Sequence, residues 1–432
     1  MPDPVTTPQS NQAEPNPVPQ LTLRFRPSLL LLCCLLLLVS AVAWRKGSYF
    51  SGGFDLVVVV KAALTGLAVA IAWAMPRSKD AWSKVRAAPM LWLVAYLTIT
   101  VVGGLLNGEP LASTVLAARV MLMALALLLL MVSHSWQAVL GSLASAMLLL
   151  AGFGIVTGLP SLAATGRLYG GIPPLNANEI CLLVSIPAVL LFWRCVHSHA
   201  SPLTYVSLAG LVGLVWLTGA RAGLSALIIA FMLLIMLSRR LANPMAVLIA
   251  AAVPVVLWIT FFTPWVSQFA SRGDPSNITT LNSRTVAWRA AINYADTVTE
   301  HLFGGGLALK QVPVSAMYRT SQILDSTWMS ALLQAGLVGT AILVLFVLTT
   351  AVRALMLPRP QSHLIFAIVI QLTLVSVLES GLFDSTSAFL TFFTMALCAH
   401  RTDSVPVVVT QVPLPSGRRT LGAVRTSRYL NG

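Results

Sequence analysis

The sequence predicts an all-α polytopic membrane protein of about twelve transmembrane helices with one large external loop. Three observations carry that prediction. The chain is 57% hydrophobic and only 9% charged, with a mean hydropathy of +0.84. A water-soluble protein with that balance would expose apolar surface everywhere. The apolar residues form long continuous runs rich in Leu, Ala and Val, as helices in lipid require, and not the short alternating strands of a β-barrel. The polar residues collect between the runs, above all in the segment 263–325.

Taken in order, residues 1–26 make a disordered cytoplasmic tail, dominated by Pro, Gln and Asn and without an apolar period. The first run, 27–44, follows Arg24 and Arg26. Its end, Ala41-Val42-Ala43, resembles a signal-peptidase site, yet its apolar core exceeds the roughly 7–15 residues of a signal, so an uncleaved first helix is expected. Further runs stand at about 54–75, 90–106, 113–132, 136–159, 177–194, 202–219, 222–237, 243–262, 327–352, 362–382 and 386–400. They place helices one to nine within 27–262, an external loop over 263–326, helices ten to twelve within 327–401, and a basic tail over 402–432. The tail is suited to anionic lipid. No internal repeat is visible and the longest loop is not central, which argues against a transporter of two six-helix halves.

The basic residues orient the helices. A cytoplasmic N-terminus puts Arg77, Lys79, Lys84, Arg86, Arg194, Arg239, Arg240, Arg353, Arg359 and the arginine-rich C-terminus inside, with Arg45 and Lys46 as the main exception. The net charge of +14 is therefore a mark of topology; no basic module of the nucleic-acid-binding kind is present, and no nucleic-acid partner is expected. Cys33, Cys34, Cys181, Cys195 and Cys398 lie in or beside apolar runs without metal-type spacing and read as small buried hydrophobes.

Charge is scarce because lipid cannot solvate it, yet 263–325 holds Arg272, Asp274, Arg284, Arg289, Asp296, Glu300, His301, Lys310, Arg319 and Asp325. A loop so long and so charged is more often functional than connecting, and here it is expected to cap an active site. Asn282-Ser283 can cap a helix starting near Arg284, four or five turns long, with Arg284 and Trp288 on one face. Taken alone, that helix can equally lie on the bilayer surface. Gly304-Gly305-Gly306 ends it and allows close backbone approach to a ligand. Arg221, in LTGARAGLSA, either snorkels to the interface or pairs with a lipid phosphate. Arg167 lies in the turn-rich ATGRLYGGIPPLNANE, where Asn176 and Asn178 are either helix caps or amides facing a site. Asp325-Ser326 is either an N-cap pair or carries a carboxylate that takes a proton from a sugar hydroxyl, with His301 as the competing base. Only Lys61 and Arg119 look intramembrane, and either can snorkel. There is no Asp-x-Asp pair, HExxH, Walker loop or Gly-x-Ser-x-Gly in the sequence. Metal-dependent nucleotide-sugar transfer, zinc proteolysis, ATP hydrolysis and serine hydrolysis thus lack their parts.

The motifs GRLYGGIPPLNANE, LTGARAGLSAL, NSRTVAWRAAI, EHLFGGGLA and DSTWMSALLQAGLVG, in that order over roughly 166–352, resemble the O-antigen ligase and O-antigen polymerase superfamily. The resemblance implies a GT-C-like fold in the bacterial cytoplasmic (inner) membrane with both termini cytoplasmic. It implies a metal-independent, cofactor-free inverting transfer of a glycan from an undecaprenyl-pyrophosphate carrier to a glycan, lipid or other cell-surface acceptor. The carrier, the acceptor and membrane lipids would be the partners. By the same resemblance Arg221 and Arg284 hold the pyrophosphate and Asp325 stands at the place of the base; Arg167, Asn178, Trp288, Ser326 and His301 complete the expected substrate-binding set. The chain departs from the family at several points. Ala220 and Ala222 flank Arg221 in place of Ser and Gly, Ala177 replaces a Pro, and Asp325 stands where ligases usually have His. Polymerase-type and Gram-positive glycan-attaching members therefore stay open beside the ligases. The rivals are a transporter or flippase of lipid-linked sugars, which would line a path through the helices with charge, a peptidoglycan polymerase, and a non-catalytic scaffold.

Overall fold

A computed structural model of the chain describes residues 28–44, 56–78, 80–197, 200–238, 281–314 and 321–402. The apolar runs become α1 (Leu29–Ala41), α2 (Leu56–Ala74), α3 (Ala88–Leu106), α4 (Pro110–Ser133), α5 (Trp136–Thr165), α6 (Ala177–His197), α7 (Pro202–Leu217) and α8 (Arg221–Leu237). After the polar segment come α11 (Thr327–Leu355), α12 (Gln361–Leu378) and α13 (Ser387–Ala399). The run at 243–262 and the basic residues Arg45, Lys46, Arg239 and Arg240 lie outside the described residues. Among the described residues, seven helices are long and apolar enough to cross a membrane: α2 to α6, α11 and α12.

These helices are apolar on every side, the pattern of elements buried in protein on one face and lipid on the other. Inward, Leu37, Leu130, Met147, Phe192 and Phe346 are fully buried, while Trp73, Phe153, Leu203, Met236 and Leu348 face outward. Such a surface is stable only against hydrocarbon. Near the centre, Tyr96, Phe346, Phe383 and Phe392 pack ring on ring with centroids 5.2 to 5.7 Å apart, in tilted or edge-on geometries that the aromatic quadrupole favours.

Helix ends gather on two faces. On one, Thr402 N–H donates to Lys84 O at 2.9 Å, and the Arg401 guanidinium reaches Met131 O at 2.8 Å and His134 O at 3.0 Å. Arg86 and Arg353 join Arg401 around a pocket there. The opposite face carries the polar segment, and its structure differs from the expectation. The single long helix is two: α9 (Leu281–Ile292) and α10 (Val298–Phe303). Asn282 and Ser283 lie inside α9 instead of capping it, and the Tyr294–Thr297 stretch breaks the run because Thr297 and Glu300 form a capping box that starts α10 afresh. A two-stranded antiparallel ribbon of β1 (Gln311–Pro313) and β2 (Ser321–Ile323) follows.

The three glycines after α10 serve the fold. Helix α11 is kinked at Gly336 (φ 62°, ψ −163°), which deprives Leu333 and Gln334 carbonyls of their helical partners. Gly305 and Gly306 supply the missing N–H groups at 2.8 and 2.9 Å. The backbones touch so closely that a Cβ on Gly304 would sit 2.5 Å from Ala335 N, and one on Gly306 2.5 Å from the Cα of Gly104. The close approach expected toward a ligand is thus toward α3 and α11.

Candidate active site

Helix α9 lies along the polar face because Arg284, Ala287, Trp288 and Ala291, at i, i+3, i+4 and i+7, form one stripe. Ala287 and Ala291 are buried in a small apolar cluster with Val312, Val314, Leu324 and Leu333, and Trp288 packs against it. That satellite core clamps α9 to the ribbon and to the start of α11. It also directs Arg284 at the first turn toward two carboxylates.

Those carboxylates come from separate elements joined by hydrogen bonds. Thr327, opening α11, donates through its backbone N–H at 3.2 Å and its hydroxyl at 2.9 Å to Glu379 O, which caps the end of α12. The stitch sets Asp325 and Glu379 side by side. Arg284 stands between them, Nε 3.8 Å from Asp325 Oδ2 and Nη2 3.7 Å from Glu379 Oε1. Both separations are ion-pair distances beyond hydrogen-bond reach. Among the described residues, the Arg284 guanidinium is held electrostatically and its N–H donors are unspent.

The Asn178 amide donates to Glu379 Oε1. Its neighbour Asn176 accepts from Glu179 N–H at 2.7 Å and so caps α6; the two asparagines divide the two readings between them. Burial and the adjacent Asp325 raise the Glu379 carboxyl to about 7, against the pull of Arg284, the Asn178 amide and Arg167. Burial also raises Asp325, opposed by Arg284. Neither Asp325 nor Ser326 acts as a side-chain cap: Ser326 occupies the N-cap position of α11 with no side-chain hydrogen bond there, and Asp325 precedes it.

Arg221 opens α8, half-buried, with Arg167 and Arg284 as its charged neighbours. Ala220, Ala222 and Gly223, around it, line a small space shared with Asn178 and Glu379. Arg167 Nε donates to Thr218 O at 3.1 Å and Nη1 to the Tyr169 hydroxyl at 3.1 Å. It ties the 166–176 loop to the α7–α8 turn. Three arginines, from the 166–176 loop, the start of α8 and the first turns of α9, therefore gather beside the Asp325–Glu379 pair.

A cavity of about 350 Å³ opens beside the pair, lined by Asp325, Glu379, Asn178 and Thr327 and continuing to Lys61, Arg119, Glu179, Lys310 and Asp384. Lys310 and Asp384 form an ion pair. Burial acts to raise Asp384, but Lys310, the Ser385 N–H and Arg119 together hold it below the ordinary range. Lys61 and Arg119 do not snorkel: Lys61 Nζ donates to Val42 O at 2.7 Å and Arg119 Nη2 to Ser40 O. His301 is exposed on α10 and does not line this cavity, and Trp288 belongs to the satellite cluster.

Sequence reasoning missed Glu379 and Glu179. Both stand within apolar runs, and an acid inside such a run was the available signal. No family model matches the chain, and no curated protein matches it significantly.

Proposed function

We propose that the chain is a metal-independent inverting glycosyltransferase of the O-antigen ligase or polymerase type. It would move a glycan from an undecaprenyl-pyrophosphate carrier to a glycan or other cell-surface acceptor, on the outer side of the bacterial cytoplasmic membrane. The observation that carries the reading is Arg284, set between Asp325 and Glu379 with its donors unspent among the described residues and with Arg221 and Arg167 beside it. Two carboxylates hold one arginine, and the other arginines of the group lack an acid of their own among the described residues. Such an arrangement accepts a further polyanion, and a pyrophosphate fits the forked geometry of guanidinium groups.

In the reaction the acceptor hydroxyl attacks C1 of the sugar on the face opposite the carrier. The C1–O bond to the pyrophosphate breaks with its electron pair going to the phosphate oxygen, and the configuration inverts. Arg284 and Arg221 stabilise that developing charge without a metal. Asp325, half-exposed at the cavity mouth, takes the hydroxyl proton as the new C1–O bond forms. The hydrophobic tail of the carrier stays in lipid along the helices. The basic face, with Arg86, Arg353 and Arg401, is cytoplasmic in this reading, which puts the cavity outside.

One observation favours a transporter of lipid-linked sugars instead: Lys61, Arg119 and Glu179 sit within helices and line the cavity. The charged lining nevertheless clusters around one cavity, with Lys310, Asp325, Glu379 and Asp384 outside the helices, and forms no continuous path through the bundle among the described residues. The deciding experiment uses the purified full chain in nanodiscs with an undecaprenyl-pyrophosphate glycan and a mixed set of glycan and lipid acceptors. Transfer should occur, and Arg284→Ala and Arg221→Ala should each abolish it at unchanged membrane levels. Full transfer by both variants, or movement of the sugar lipid across sealed vesicles with no transfer, would overturn the proposal.

A further inference from the structure

Arg119 lies nine residues beyond Pro110, the first residue of α4, so it sits about 14 Å along the helix from its start. It is 8% exposed and lines the cavity. Its Nη2 donates to Ser40 O, but its Nε is buried and has no hydrogen-bond partner among the described residues. The carboxylate that acts on it electrostatically, Asp384, is paired with Lys310. A buried guanidinium compensated by one carbonyl and a shared acid is costly unless a ligand completes its shell.

The surroundings say what kind of ligand. Lys61 joins Arg119 in the lining, opposed by Glu179; apart from Asp325 and Glu379, which Arg284 engages, the charged lining is Lys61, Arg119, Lys310, Glu179 and Asp384. Trp44 lines the same space, with Lys61 Nζ 5.7 Å from its ring centroid. An indole offers a flat apolar face to the C–H side of a pyranose, and Glu179 offers acceptors to sugar hydroxyls. The pyrophosphate has its own arginines at Asp325 and Glu379.

We propose that Arg119 and Lys61 bind an anionic group, a carboxylate or phosphate substituent, on the glycan itself, with Trp44 beneath that sugar. The substrate glycan is thus acidic. The assignment rests on the glycosyltransferase reading for the identity of its ligand, while its test needs no transfer.

Binding to the full chain in nanodiscs is measured with three probes: a glucuronic-acid-terminated trisaccharide, its glucose-terminated counterpart, and a short-chain polyprenyl pyrophosphate without sugar. The wild type should bind the acidic trisaccharide about ten- to a hundredfold more tightly than the neutral one, the usual value of a buried hydrogen bond to a charged group. Arg119→Gln should erase that preference and leave the pyrophosphate probe unaffected. Equal binding of the two trisaccharides, or a preference that survives in the variant, overturns the proposal. So does loss of pyrophosphate binding in Arg119→Gln, which would assign the site to the carrier. If Arg119→Gln does not fold, Lys61→Gln carries the same comparison. An Arg119-dependent preference without any transfer would sink the glycosyltransferase reading and keep this site. Transfer of acidic glycans at equal rates by wild type and Arg119→Gln would do the reverse.

Discussion

Replacing Glu379 by Gln removes a charge while keeping the shape and the oxygen that accepts from Asn178. The Glu379 carboxyl rises from 4.5 to about 7 in the folded protein, through burial first and the nearby Asp325 second. The folded state therefore binds this proton more tightly than the unfolded chain does. Its stabilising contribution is complete below about pH 4.5 and is lost as pH climbs through about 7. A rise of that size corresponds to roughly 3 kcal/mol, somewhat less after allowance for partial solvent access. Glu379→Gln does not titrate, so it should match the wild type near pH 4.5 and exceed it by about 2–3 kcal/mol at pH 8. Thermal unfolding in nanodiscs, followed by tryptophan fluorescence from pH 4.5 to 8, reads the difference as a gap of several degrees that opens with pH. Parallel curves, or a variant less stable than the wild type at pH 8, would refute the argument that Glu379 is a desolvated carboxyl beside a second acid.

Asp325→Asn should reach the membrane at normal levels, bind the carrier and lose most turnover in the transfer assay; undiminished transfer would leave the reaction without this base. Asp325→His should recover part of the rate, since the resembling ligases use His there. Gly304→Ala should lower the unfolding temperature sharply, because φ is +69° and the new Cβ meets backbone at 2.5 Å. Gly166→Ala, with φ +68° but open space around it, should cost only about 1 kcal/mol; equal losses would mean that the notch is not tight. For topology, Gln311→Cys should label from outside intact cells and Ser83→Cys should not; the reverse pattern would put the carrier on the wrong side of the site.

Much of the fold was legible because membrane helices announce themselves one at a time, and the apolar runs that fall within the described residues mapped onto helices with ends shifted by a few residues. What the runs concealed were acids at their margins. Glu379 was absorbed into the run at 362–382, yet the helix stops at Leu378, so the acid is the first residue outside it and faces Arg284. The site arginines were legible from scarcity of charge, but their division of labour was not. Arg167 is tied to Thr218 and Tyr169, whereas Arg284 has unspent donors among the described residues, and only tertiary geometry separates the two. The glycines misled for a related reason. Close backbone approach was correctly expected, but the sequence does not say to what, and the partner proved to be the kinked α11.

The kink and the site are parts of one device. A helix crossing a membrane satisfies its own backbone, so a break at Gly336 needs outside donors, and Gly305 and Gly306 provide them. Those two bonds pin the segment after α10 to the interior of α11, about two turns below Asp325. The Thr327–Glu379 stitch fixes the top of the same helix to α12. Between these two anchors the short stretch carrying Asp325 has little freedom, and the satellite cluster under α9 holds Arg284 against it. Preorganisation of this kind matters most where charge develops, because groups already aimed need not reorganise when a charged leaving group departs. A polar loop on a membrane protein is ordinarily mobile. Here the described part is tied down at each point where a charged side chain faces the cavity, which is the physical reason to place the chemistry there.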